Sequence, residues 1–201
     1  MTIEASPLLG LPTVGGAPLA ESSRRSLFIA SFMTLIAAGL GFAIRGAIIG
    51  DWGAQFGFTK SDLGAINGVG LAGLGITIVF FAFFADLVGY RALLLLAFAL
   101  FAISGVVTLC AGPAFNSGGK NAAFYTLYAG TFIFAIGHGC IEAAINPLTA
   151  TLYPKEKTHY LNILHAGWPG GLMLGGVLNY LLHGKEAKLV SLPWQVLAVL
   201  Y

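Results

Sequence analysis

Residues 27–50 read LFIASFMTLIAAGLGFAIRGAIIG, a run whose one ionisable side chain is Arg45. The hydrocarbon core of a bilayer takes about 20 mostly apolar residues as a helix, so this run is long enough to cross. It is too long for the core of a cleavable signal, and no small-residue cleavage motif follows it, so it is expected to stay in the membrane. Working outward, residues 63–85, 92–110, 122–152 and 160–182 have the same character, and a sixth run opens at Trp194. All are continuous rather than alternating. That favours helices over barrel strands, because a helix satisfies its own backbone polar groups in lipid. The expected fold class is an all-α membrane protein.

Composition points the same way. The chain is 57% hydrophobic and 9% charged, against about 25% charged in a soluble domain, and its mean hydropathy is +0.85. A net charge of +2 with no basic block gives no sign of a nucleic-acid partner, and none is expected. Cys110 and Cys140 lie in apolar runs, where each is expected to pack as a small side chain. Residues 1–26 are rich in Pro, Gly and Ser and read as a flexible tail, ending in Arg24 and Arg25 before the first span. With the tail in the cytoplasm, that side carries Arg24, Arg25, Arg91, Lys155 and Lys157, and the other carries Lys60, Lys120, Lys185 and Lys188. The arginine pair tips the expectation to a cytoplasmic N-terminus. Many of the 28 glycines fall inside the spans, where small residues let helices approach closely. Gly64, Gly68 and Ala72 form one such stripe, and Gly167, Gly171 and Gly175 another.

Against this apolar background, HGCIEAAINP at residues 138–147 is anomalous. An ionisable side chain within a span is costly and marks a candidate functional site. His138, Glu142 and Asn146 recur every four residues and share one helix face, and Asn162, His165 and Pro169 share a face of the next helix. If the connection folds tightly about Pro154, Glu142 lies level with His165 and Asn146 with Asn162. That predicts a buried polar network or a water-filled cavity between the two helices. The alternative is that these groups only tie the helices together, at about 0.6 kcal/mol per hydrogen bond. Desolvation favours a neutral carboxyl, so Glu142 is placed to take and release a proton, exchanging it with His165 or His138. Arg45 sits about 9 Å outward of its helix centre and Glu142 about 7 Å inward of its own, at ~1.5 Å per residue, so a direct pair is not expected. Arg45 either lines the outer half of the cavity, where it would bind hydroxyls or an anion, or snorkels to the interface.

Between the second and third spans, AFFADLVGYRALL places Asp86 at a helix end, Gly89 at a turn and Arg91 at the next helix start, with about six connecting residues. This loop resembles the one between helices two and three of the major facilitator superfamily. Asp86, Gly89 and Arg91 match, whereas Ala82 stands for a glycine and Leu87 and Tyr90 for basic residues. The segment IEAAINPLTATLYPKEKTHYLNILHAGWPGG is similar to the fucose:proton symporter family of that superfamily, through Glu142, Asn146, Pro147, Leu161, Asn162 and His165. The resemblance implies a helix-four carboxylate, Glu142, taking part in proton coupling and sugar recognition, and an inward gate shaped by Asp86, Gly89 and Arg91. It also implies twelve helices in two six-helix halves, of which residues 27–201 would be the N-terminal half of a fragment or truncated product, partnered by a missing C-terminal half. Arg45 stands near the position of the family's helix-one aspartate, a departure from the family's pattern.

The function expected is therefore secondary active transport of a small polar solute, a sugar or sugar derivative, coupled to protons, in a bacterial inner membrane. No enzymatic activity, cofactor or resident metal is expected, and no nucleotide-binding motif supports ATP-driven transport. Two other classes compete. One is a membrane metalloenzyme using His138, Glu142 and His165, and the other is a sensor or scaffold, which needs a soluble output domain.

Overall fold

In a computed structural model, residues 3–5, 12–14, 17–184 and 187–199 are described, with the side chains of residues 3–18, 82 and 86 excepted. The chain runs through strands β1 (Ile3–Ala5), β2 (Pro12–Val14) and β3 (Ala17–Pro18), then helices α1 (Glu21–Phe56), α2 (Lys60–Val88), α3 (Tyr90–Leu109), α4 (Ala111–Leu152), α5 (Lys157–Leu182) and α6 (Trp194–Leu197). The described parts of the expected tail pair antiparallel, Ile3 opposite Val14 and Thr13 opposite Pro18.

Every expected span is a helix, and most are longer than their apolar runs. α1 begins at Glu21 rather than Leu27, because Glu21 suits the positive end of the helix dipole and pairs with Arg24 at 2.9 Å. It ends on Gly57, whose φ of 69° closes the last turn. α2 starts earlier than residue 63 because Thr59 and Asp62 form a capping box, each side chain accepting the other's backbone N–H. α4 carries a break at Gly119 (φ 68°, ψ −159°), so its long apolar part begins near the expected residue 122. Four helices, α1, α2 over Lys60–Phe81, α3 and α4, are long and apolar enough to cross a membrane. α5 is not among them, although 160–182 was expected to be a span. Its 26 residues include His159, Asn162, His165, Asn179 and five glycines, which dilute the apolar character. Ile76, Phe83, Leu87 and Phe98 are each at least two-thirds exposed on α2 and α3, a surface matched to lipid chains rather than water.

Packing departs from the expected pairing of α4 with α5. α4 is central and is flanked by α2 and α3, while α5 lies mainly along α1. The glycines explain this. A Cβ on Gly171 would collide with the Ile36 carbonyl, one on Gly39 with the Trp168 carbonyl, and one on Gly175 would come within 2.6 Å of the Ala43 Cβ. The stripe at Gly167, Gly171 and Gly175 is therefore a close-packing seam, and its partner is α1. The other expected stripe is not a seam: Gly64 and Gly68 face open space, and the glycines of α2 that meet α4 are Gly70, against Thr131, and Gly73, against Phe132 and Ala135.

The two ends of the bundle are closed differently. At one end, Trp52, Phe56, Phe58 and Trp194 form an aromatic cluster, with Trp194 donating to Gln55 at 2.6 Å. At the other, the Tyr153 and Tyr160 rings stack at 3.5 Å across the α4–α5 turn, Phe28 meets both edge-on, and the Arg24 guanidinium lies 5.0 Å from the Tyr153 centroid. These contacts fasten the turn to the first turns of α1.

Candidate functional site

Arg45 is buried at the centre of the bundle. Its Nη1 donates to Thr131 Oγ1 at 3.0 Å, and its Nη2 donates to Ser104 Oγ at 2.9 Å and Thr108 Oγ1 at 2.8 Å. Ser104 in turn donates to the Gly130 carbonyl at 2.8 Å. The guanidinium carbon lies 4.9 Å from the Phe134 ring centroid and 5.9 Å from that of Trp52. One cation thus joins α1, α3 and α4. Such contacts offset its desolvation, because hydrogen bonds to a charged donor contribute about 1.5–3 kcal/mol each, and aromatic faces add to this. The guanidinium is turned into the bundle and Arg45 is 7% exposed.

A small cavity lies beside it, lined by Arg45, Trp52, Asn67, Thr131, Phe134 and His138 among others. Its volume of about 30 Å³ suits a few waters. His138 is 2% exposed, and its Nε2 lies 3.8 Å from Glu142 Oε1 with no protein hydrogen-bond partner. Asn146 Nδ2 donates to Glu142 Oε2 at 2.9 Å. The stripe read at four-residue spacing on α4 is therefore a contiguous polar run. Pro147 ends it, and lacks the amide that would bond the Ala143 carbonyl.

The second stripe does not join the first. Asn162, His165 and Pro169 are exposed on α5, and no described hydrogen bond or ion pair links them to Glu142 or Asn146. The α1–α5 seam gives the reason: with Gly167, Gly171 and Gly175 packed on α1, α5 lies mainly along α1 rather than α4. This also separates His165 from His138 and Glu142 as a metal set, and among the described residues no group of three His, Cys, Asp or Glu side chains could hold a metal ion.

The α2–α3 connection is tighter than the six residues expected. Gly89 alone joins the helices, with φ 83° and ψ 143°, and its amide donates to the Ala85 carbonyl at 2.8 Å. Only glycine takes that conformation readily. Arg91 is exposed one residue into α3's first turn, and the Asp86 side chain lies outside the described residues.

Sequence reasoning missed Ser104, Thr108 and Thr131. Ser104 and Thr108 sit four apart in an otherwise apolar helix, a signal of one polar face. Nothing in the sequence placed that face opposite Arg45. The two cysteines are free thiols, Cys140 buried and Cys110 exposed.

Long apolar helices around a buried polar centre define an integral membrane protein. A family model described as the Major Facilitator Superfamily matches residues 27–200. The chain belongs to that superfamily, whose members move small solutes across membranes and are generally transporters rather than enzymes. No curated protein and no solved structure matches the chain.

Proposed function

We propose that this protein is a proton-coupled secondary transporter of a small polar solute, a sugar or sugar derivative, with Glu142 as the coupling group. The observation that carries this reading is a carboxylate held inside a membrane helix, bonded to Asn146 and facing the buried His138. Protonation of Glu142 and binding of solute would together bias the exchange between inward-open and outward-open forms. Coupling requires that each ligand favour one form energetically. The similarity of the Glu142–His165 segment to fucose:proton symporters supports a sugar-like solute. Asp86, Gly89 and Arg91 belong at the inward gate in this reading, and Asn162 and His165, exposed on α5, are free to face the solute pathway. The membrane is a bacterial inner membrane, with the N-terminus in the cytoplasm.

The test is proton flux into proteoliposomes on addition of sugars and sugar acids, comparing wild type with Glu142→Gln. Solute-dependent flux in the wild type that vanishes in the variant supports the reading. Equal proton movement in both makes Glu142 a structural tie and removes the coupling argument.

A further inference from the structure

His138 is the residue of α4 that touches both the Glu142 carboxylate and the cavity beside Arg45. Glu142 is not among the residues lining that cavity, whereas His138 is. A histidine serving only to pack would have its ring nitrogens satisfied, since a buried polar atom without a partner costs about 1–3 kcal/mol. Here Nε2 has no protein partner and points at a carboxylate oxygen 3.8 Å away. A shift of about 1 Å brings the pair to hydrogen-bond distance.

We infer that His138 carries protons between the Glu142 carboxyl and water in this cavity. This rests on the reading of Glu142 as the coupling group and adds the route by which its proton arrives and leaves. When Glu142 discharges, its O–H bond breaks and an N–H bond forms at His138 Nε2. The cationic ring then gives a ring proton to a cavity water and returns to neutrality. One proton has moved, and only N–H and O–H bonds have changed.

The surroundings match a carrier that charges only in passing. From α1 the cavity is faced by the cation of Arg45, already turned to its three hydroxyls. From α2 it is faced by Asn67, an amide, and the α3 hydroxyls of Ser104 and Thr108 accept from Arg45. Within α4 the facing titratable group is Glu142. The other histidines, His159, His165 and His183, are at the ends of α5 or on its exposed face.

Time-resolved infrared spectroscopy after a pH jump tests this without knowing the solute. The Glu142 carboxyl band is the one absent in Glu142→Gln. In His138→Gln the band should grow in at least about tenfold more slowly, since a positioned proton carrier contributes roughly 10²–10⁴-fold, and added imidazole should restore the rate in His138→Ala. An unchanged rate in His138→Gln overturns the relay while leaving Glu142 as the coupling group. Absence of any titrating Glu142 band in the wild type overturns both. Should the variants fail to fold, the wild type decides: the ¹⁵N signals of His138 must report proton exchange over the range where the Glu142 band changes, and a ring fixed in one protonation state there overturns the relay.

Discussion

Arg45 shows how one side chain can be both costly to bury and a tie between three helices. Buried in a span, it holds hydroxyls from two other helices, and a lysine in its place would be a point charge without the planar fork that reaches all three. Arg45→Lys is expected to lower stability by about 1.5–3 kcal/mol, measured by denaturation in detergent micelles. Gly89 matters for a different reason. Its backbone, at φ 83° and ψ 143°, is in a region nearly closed to other residues, so Gly89→Ala should cost about 1–3 kcal/mol and loosen the α2–α3 corner, read as faster proteolysis between these helices. The charge of Arg45 and the turn at Gly89 were both legible in the sequence. The hydroxyl partners of Arg45 were not, because a threonine in an apolar run has no pattern that names its neighbour.

The decisive features at the level of helices are the glycine seams. Gly171 meets the Ile36 carbonyl so closely that any side chain must push α5 off α1. Gly171→Val is expected to destabilise by about 1–3 kcal/mol or more through overpacking, whereas Gly68→Ala, facing open space, should stay within about 0.5 kcal/mol. Melting of the two variants side by side in detergent checks this, and equal losses would show that the seam is not on α5. Both stripes look alike as small residues at four-residue spacing, so the sequence identified two candidate seams and could not rank them. What separates them is which neighbouring helix approaches, a property of the bundle rather than of the stripe.

For the molecule as a whole, orientation can be read directly. With Cys110 and Cys140 replaced, a cysteine at the exposed Ser117 should react with an impermeant maleimide from outside intact cells, and one at the exposed Lys155 only after permeabilisation. The reverse result would invert the orientation drawn from Arg24 and Arg25. Helical class, four long apolar helices and the polar run of α4 were determined by the sequence itself. They depend on the length of apolar runs and on the 3.6-residue period, which are local quantities. The partnering of α5 with α1, the exclusion of His165 from the α4 site and the meeting of Arg45 with Ser104, Thr108 and Thr131 were decided only by the tertiary structure. Each depends on which faces come together across the bundle. Close approach at glycine settles that choice, and residues far apart in the chain supply both sides of the contact.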